Sequence, residues 1–331
     1  MRRPLNLFYQ EPDRDRWLPL DRYPRRLVRR LVRGAGRPGG QRLVFLNLAR
    51  GLDRIGVPYR VNDFAHARRH PEELACVVGK PHLLFERVWR NPVLFGASVF
   101  SHPADCPDLF DRYPVRRMLV PGEWMRRMCA PQYGERVRAW PVGIDTDAWA
   151  PAPAAAKRDE VLLYDKVRWE HDAHERSLLG PVRAALRACG LRVTELRYGR
   201  YAPADLREAL ARARAAVFVC EHETQGLAYQ QMLSSGVPVL AWDRGGEWRD
   251  PEYHPHRARF GPVTSVPYWD GRCGLTFADA AEFARVLPEF WERVAAGAFA
   301  PRDYVLEHLT LERCARDYVR HADACADAAG A

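Results

Sequence analysis

The polar groups best placed for chemistry lie in an acidic loop in the C-terminal half of the sequence. There the apolar run AAVFVC, residues 215–220, ends at Glu221-His222-Glu223. A segment with helical periodicity, a Gly-Val-Pro turn and a second apolar run follow, up to residue 243. This order predicts a strand, a loop, a helix and a second strand. Because ligands bind at the carboxyl ends of strands in parallel α/β sheets, the loop is a candidate ligand site.

A second candidate is a pair of cations that follows the apolar run VLLY, residues 161–164. Lys166 and Arg168 come just after that run. Two cations at the carboxyl edge of a sheet are suited to binding a diphosphate. The chain otherwise prefers arginine, since its lysines are Lys80, Lys157 and Lys166. A lysine at this edge therefore favours a binding role, with two solvated charges on an exposed turn as the alternative.

The N-terminal half contains two further candidates. A glycine-rich loop, GAGRPGGQ at residues 34–41, precedes an amphipathic helix. Its Gly39 and Gly40 would let backbone N–H groups approach a phosphate, although the loop matches neither GxGxxG nor the P-loop motif. His102 follows the predicted strand 93–100. It could hold a substrate hydroxyl or a developing charge, or it could hydrogen-bond its own loop.

The elements that would position these groups alternate between strands and helices in both halves of the chain. Between the halves, PVGIDTDAWAP followed by PAPAAAKRDE has the composition of a linker. We therefore predict an α/β protein with two parallel-sheet domains and a ligand cleft between them. The predicted domains are residues 1–150 and 151–302, and the C-terminal helix, residues 303–331, is expected to pack back on the first domain.

Composition limits the class of protein. The 331 residues are 47% hydrophobic, and no apolar run approaches the roughly 20 residues that cross a bilayer. No secretory signal is recognisable, so the expected location is the cytoplasm. The eight cysteines form no CxxC pair, and the histidine pairs 171/174 and 254/256 lack a full ligand set, so no metal site is expected.

The net charge of +9 favours an anionic partner. No nucleic-acid-binding module is recognisable, so nucleic acid is not expected. In RYPRRLVRRLVR, residues 22–33, a Leu/Val stripe is surrounded by Arg25, Arg26, Arg29, Arg30 and Arg33. This segment is either a helix that lies on an anionic membrane or a surface helix that packs its stripe on the sheet.

Taken in order, these motifs resemble the retaining glycosyltransferases of family 4, which have the GT-B fold. The glycine loop before NLAR, VPGEWM at residues 120–125 and PVGIDTDAWAP resemble the first domain and the junction. ETQGLAYQQMLSSGVPVLAWD, residues 223–243, resembles the family signature ExFGlxxxEAmAxGxPVia, and PRDYVLEHLTLERCARDYV resembles the closing helices. The resemblance covers most of the chain and implies two Rossmann-like domains that face each other across a cleft.

The resemblance implies metal-independent transfer of a sugar, with retention, from a UDP- or GDP-linked donor to an acceptor hydroxyl, as in bacterial glycan biosynthesis. Glu223 and His102 would be catalytic, with His102 facing the acceptor or the 6-hydroxyl of the sugar. The donor would be held by Lys166, Arg168, Gly39, Gly40, Gln231 and the backbone amides of Thr224, Gln225, Gly226 and Leu227. The chain departs from the family at Gln231, where the second glutamate of the signature would bind the ribose.

Two other functions are compatible with parts of this pattern. A Rossmann-type dehydrogenase would need GxGxxG after a strand and an acidic residue about 20 residues further on, and neither half has both. A GT-B protein that binds a nucleotide sugar or a glycan without transferring it is favoured by Gln231. Lys166, Arg168, Glu223 and Gly226 favour the enzyme.

Overall fold

The computed structural model describes residues 2–11, 39–97, 100–153 and 160–327. The chain forms two compact units. The first comprises Met1–Pro121, Arg126–Val142 and Cys314–Ala331, and the second comprises Gly122–Met125 and Gly143–Arg313. Each unit is built on one sheet of parallel strands, which confirms the predicted α/β fold class.

The sheet of the first unit has six strands in the order β2-β1-β3-β4-β5-β6, all parallel to their neighbours. Every residue of β3 and β4 is buried. Parallel sheets are covered on both faces, so their central strands are apolar throughout instead of alternating. The strands are β1 (Leu5–Phe8), β2 (Tyr59–Val61), β3 (Ala75–Val77), β4 (Val93–Phe95), β5 (Val115–Val120) and β6 (Val137–Ala139).

The helices within the described residues of the N-terminal half are mostly short. In the longest, Val44, Leu48 and Leu52 recur every four residues and are buried. This spacing puts them on one face of the helix, which packs against the core. The helices are α1 (Gly40–Arg54), α2 (Phe64–Arg69), α3 (His82–Phe85), α4 (Leu109–Arg112) and α5 (Glu123–Tyr133).

Strand β4 is shorter than the sequence predicts. We expected a strand over residues 93–100 that ends at His102, but β4 ends at Phe95. Gly96 has a φ of +127°, and a Cβ at this position would lie 2.0 Å from the Leu119 carbonyl oxygen. This left-handed backbone ends the extended conformation, so His102 does not follow the strand directly.

The sheet of the second unit has five parallel strands in the order β11-β10-β9-β7-β8. Successive residues of β7 point to opposite faces. Leu162 and Tyr164 enter one apolar core, whereas Val161 and Leu163 enter the other. The strands are β7 (Glu160–Asp165), β8 (Arg192–Arg197), β9 (Ala215–Val219), β10 (Val239–Trp242) and β11 (Gly274–Phe277).

The remaining helices are α6 (His171–His174), α7 (Gly180–Ala188), α8 (Pro203–Arg212), α9 (Leu227–Ser234), α10 (Ala280–Ala295), α11 (Pro301–His308) and α12 (Leu311–Asp327), with a π-helical turn over Glu175–Leu179. The expected single C-terminal helix is thus two helices. Ile144 donates its N–H to the Leu309 carbonyl at 2.7 Å and forms a parallel bridge with Thr310. This pairing interrupts the helix between α11 and α12.

The described helices include none that is both long and apolar enough to cross a membrane. The arginine-rich segment, residues 22–33, lies outside the described residues.

Candidate functional site

The centre of the candidate site is an ion pair between Lys166 and Glu223 at the carboxyl edge of the second sheet. Strands β7 and β9 are neighbours, with Asp165 paired to Val219. The residues that follow them are therefore brought together, and the Lys166 N–H donates to the Val219 carbonyl at 2.8 Å. The Lys166 ammonium donates to Glu223 Oε2, and both side chains are largely buried. The strand order thus brings together two residues that the sequence identified separately.

Both partners of this pair carry their charge. Burial is the largest influence on the pKa of Glu223 and would raise it, but Lys166, Arg168 and the Thr224 N–H together outweigh burial, so the pKa lies below its ordinary value. Burial would likewise lower the pKa of Lys166, and the charge of Glu223 reverses this effect and raises it. Glu223 Oε1 also accepts the N–H of Thr224 at 3.0 Å. The site therefore holds a fixed carboxylate against a fixed ammonium.

Arg168 is held by both residues that precede Glu223. Its backbone N–H donates to Glu221 Oε1 at 2.8 Å, and the N–H of Trp169 donates to the same oxygen at 3.0 Å. Its Nη2 donates to the His222 carbonyl at 3.1 Å. The guanidinium carbon lies 4.1 Å from the centroid of the Trp169 ring. These contacts fix the direction of the second cation at the same sheet edge.

The imidazole of His222 is neutral and acts as a hydrogen-bond acceptor for Arg168. Burial, together with the charge of Arg168, lowers the pKa of His222 to about 4. Its Nε2 lies 2.8 Å from the carbonyl oxygen of Arg249, so Nε2 carries the proton. Nδ1 is then free to accept from Arg168 Nη2, at 3.3 Å. No sequence motif predicts this role for His222.

Trp124 is a further part of the site that the sequence left without a role. It stands in the VPGEWM motif and belongs to the second unit. Its indole N–H donates to the Glu223 carbonyl at 2.8 Å, and its ring meets His222 edge-on with centroids 5.7 Å apart. The backbone of Glu223 is thereby fixed by a contact that does not involve its carboxylate.

The loop from Thr224 to Leu227 turns the chain into α9. Gly226 has a φ of +64°, and a Cβ there would lie 2.0 Å from the Tyr229 ring, so only glycine fits. Gln225 is buried, and within the described residues neither polar atom of its side chain has a hydrogen-bond partner. Gln231 lies one turn into α9 and is half-buried.

Asp165 and His171 form a second acid–base pair near Lys166. The Asp165 carboxylate is buried; its Oδ2 lies 2.7 Å from His171 Nε2, and its Oδ1 accepts the N–H of Val167 at 3.0 Å. Sequence reasoning considered His171 only as a metal ligand. Neither His171/His174 nor His254/His256 lies in a cluster of three metal-ligating groups within the described ranges.

The remaining predicted site residues lie in the first unit. Gly39 precedes α1 with an extended backbone (φ −61°, ψ 164°), and α1 begins at Gly40. His102 begins a short 3-10 turn, Pro103–Asp105, and its Nδ1 accepts the N–H of Ala104 at 3.1 Å. Of the two roles considered for His102, this bond supports the one in which it hydrogen-bonds its own loop.

The comparisons with known proteins rest on structure alone. No family model and no curated protein sequence matches the chain. Its structure resembles sucrose-phosphate synthase from Thermosynechococcus elongatus, at 14% identity over 99% of this chain and 100% of that one, with a TM-score of 0.58. It also resembles the N-terminal domain of Candida albicans trehalose-6-phosphate phosphatase, at 10% identity over 97% and 96% of the two chains, with a TM-score of 0.52.

A third similar structure is a variant of TarM from S. aureus in complex with fondaparinux, alpha-GlcNAc-glycerol and UDP. The identity is 11%, the alignment covers 75% of this chain and 55% of that one, and the TM-score is 0.50. Three other similar structures are longer, and the chain spans only 54%, 58% and 60% of their length. At these identities the comparisons establish the fold, which is that of the GT-B glycosyltransferases.

Proposed function

We propose that the protein is a glycosyltransferase that moves a sugar from a nucleotide diphosphate sugar to an acceptor hydroxyl. The observation that carries this proposal is that Lys166, Arg168 and Glu223 meet at the carboxyl edge of β7 and β9, with Lys166 and Glu223 largely buried. Charged side chains are rarely buried unless they are paired or take part in binding or catalysis. This edge is also where α/β sheets bind nucleotides.

Lys166 and Arg168 would bind the diphosphate of the donor. The ammonium of Lys166 has three N–H donors, one of which is directed at Glu223. The others can approach a phosphate oxygen without breaking the ion pair. Arg168 offers a planar guanidinium that is already oriented by His222 and Trp169. Both cations would stabilise the charge that develops on the leaving diphosphate, so we propose that the reaction needs no metal.

Glu223 would bind hydroxyls of the donor sugar. Its carboxylate already accepts hydrogen bonds from Lys166 and from the backbone of Thr224, which suits an orienting role better than a nucleophilic one. We extend the proposal to retention of configuration. The bond from the anomeric carbon to the phosphate oxygen breaks, the bond to the acceptor oxygen forms on the same face, and the acceptor proton passes to the leaving phosphate.

The similar structures support this choice. One of them is described with UDP and with an alpha-GlcNAc-glycerol ligand, and another is a sucrose-phosphate synthase. A nucleotide sugar as donor and a glycan or another hydroxyl compound as acceptor are therefore the partners we propose. We also propose that the transferred sugar is a hexose and that the reaction takes place in the cytoplasm. The same proposal includes contact of residues 22–33 with an anionic membrane. Co-sedimentation with anionic vesicles, before and after replacement of Arg25, Arg26, Arg29 and Arg30, tests the membrane contact.

The second candidate function is binding of a nucleotide sugar or a glycan without transfer. Gln231 favours it, because a neutral amide stands where the family has a carboxylate. An amide still hydrogen-bonds ribose hydroxyls, but without the roughly twofold strength of a charge-assisted bond. Nucleotide binding without release of nucleotide diphosphate, in the presence of a broad panel of acceptors, would favour this candidate.

A donor screen tests the proposed function. UDP-sugars and GDP-sugars are added to the protein with and without EDTA, and the melting temperature is followed. We expect at least one nucleotide sugar to raise the melting temperature by the same amount with and without EDTA. A ligand that binds only the folded state stabilises that state. The active donor is then used in a transfer assay with Glu223→Gln, which should keep nucleotide binding and lose transfer. If no nucleotide diphosphate or nucleotide sugar raises the melting temperature, the assigned donor site is wrong.

A further inference from the structure

Three metal-ligating side chains of the first unit converge on the turn that follows α2. His70, Glu72 and Glu73 each offer one ligand atom, and these atoms all lie within 4.8 Å of one another. His70 Nδ1 is 3.3 Å from Glu72 Oε1. Ligands around one small ion lie roughly 3–4 Å apart when each bond is about 2.0–2.2 Å long. Small rotations of side chains would therefore bring the three groups onto one ion.

The backbone that carries these ligands is fixed in advance. The N–H of Glu73 donates to the His70 carbonyl at 3.1 Å and closes a turn that has Pro71 at its second position. Proline presets the backbone angle required there. The buried side chain of Asn91 donates to the carbonyls of His70 and Glu73 at 2.8 and 2.9 Å. Binding would then order little beyond the side chains themselves.

The carboxylate of Glu73 is oriented by other residues. Its Oε2 accepts from Asn6 Nδ2 at 2.9 Å and lies 2.8 Å from His66 Nε2. Arg60 Nη1 is 4.0 Å from the same oxygen. No described residue hydrogen-bonds the other oxygen, Oε1, of Glu73. Hydrogen bonds to the outer oxygen of a metal-ligating carboxylate typically fix its orientation in this way.

We propose that His70, Glu72 and Glu73 bind a divalent transition metal ion such as Zn²⁺. One imidazole and two carboxylates form a donor set that suits Zn²⁺ and its neighbours better than Mg²⁺, which prefers an all-oxygen shell. Three protein ligands leave a fourth position for water or another ligand. The site lies in the first unit, so it does not depend on the function proposed for Lys166 and Glu223.

The site can be tested by titration of the metal-free protein. The full chain is stripped with a chelator and titrated with Zn²⁺ and with Mg²⁺ by calorimetry at pH 7.5. The titration uses a Cys189→Ser background, because Cys189 is an exposed thiol that could itself bind Zn²⁺. We expect one Zn²⁺ per chain, bound at least about tenfold more tightly than Mg²⁺. Absence of Zn²⁺ binding would show that the cluster is only a set of ion pairs.

Variants of the ligands assign the binding to this cluster. Glu72→Gln changes an exposed side chain and should leave folding intact, yet weaken Zn²⁺ binding at least about tenfold. Glu73→Gln should do the same. The matched control is His256→Asn, an exposed histidine of the second unit, which should bind Zn²⁺ as the parent does. Unchanged affinity in the combined Glu72→Gln and Glu73→Gln variant would overturn the proposal, provided that its circular dichroism spectrum matches the parent.

Discussion

Two groups of ion pairs in the second unit differ in burial, and the more buried of the two belongs to the proposed donor site. Arg183, on α7, bonds Glu195 of β8 and Glu175 at distances from 2.5 to 3.1 Å, and both carboxylates are partly exposed. Lys166 and Glu223 form a single ion pair, and both are largely buried. The exposed group has more hydrogen bonds, but the buried pair carries the greater cost of removing charge from water.

The cost of burying Lys166 and Glu223 indicates something about their role, because a pair of apolar residues at these positions would avoid that cost. Replacing a buried ion pair with apolar residues of similar size is often neutral or stabilising. Stability therefore gives no reason for Lys166 and Glu223 to be charged, whereas the proposed binding of a nucleotide sugar would. The Arg183 group, at the edge strand β8, is explained by the link it makes between α7, β8 and the turn before α7.

The largest expected effect comes from separating the buried pair. Lys166→Met leaves the carboxylate of Glu223 buried without its paired cation, which typically costs about 3–5 kcal/mol of unfolding free energy. The double variant Lys166→Met/Glu223→Leu removes both charges and should return to within about 1 kcal/mol of the parent, while transfer remains absent. Urea unfolding measures both variants. A double variant as unstable as the single one would mean that the pair stabilises the fold.

The acid limb of the stability profile should differ between the parent and the double variant. The pKa of Glu223 in the folded state lies below its ordinary value of 4.5. The unfolded chain therefore binds more protons, and the stability due to Glu223 is complete above pH 4.5 and lost as the pH falls through the lowered pKa. Urea unfolding at several pH values between 7 and 3 should show a shallower acid loss in the double variant. Parallel profiles would contradict the charged state of Glu223.

Glu221 should act on nucleotide affinity through Arg168. Glu221→Ala removes the acceptor of two backbone N–H groups, those of Arg168 and Trp169. We expect nucleotide affinity to fall about tenfold, equivalent to about 1.4 kcal/mol. Glu221→Gln keeps an acceptor oxygen and should restore most of the affinity. If both variants lose stability but bind nucleotide as the parent does, Glu221 does not position Arg168.

The smallest effect is expected at the exposed group. Arg183→Met should lower the unfolding free energy by about 1 kcal/mol or less, because partly exposed ion pairs contribute little. Its nucleotide affinity and transfer rate should equal those of the parent. Urea unfolding and calorimetry measure the two quantities on the same preparation. A marked loss of nucleotide affinity here would remove the distinction between the exposed and buried groups.

The sequence predicted most of the strands, though not β6 or β11, because apolar runs define strands. It also predicted the convergence of Lys166, Arg168 and Glu223, because the residues after neighbouring parallel strands share one edge. It did not predict Trp124, His222 or Asp165 as partners. Their contacts depend on side-chain directions that only the packed structure fixes. The strand before His102 was predicted too long, since a single glycine, Gly96, turns the backbone away.

Calorimetric titration of UDP and GDP into the parent, Lys166→Met and Lys80→Met tests the donor site most directly. Lys80 is an exposed lysine of the first unit and serves as the matched control. We predict that one nucleotide binds the parent and Lys80→Met equally, and binds Lys166→Met at least about tenfold more weakly, because a charge-assisted bond to phosphate is lost. Equal affinity in all three proteins would contradict a diphosphate site at Lys166.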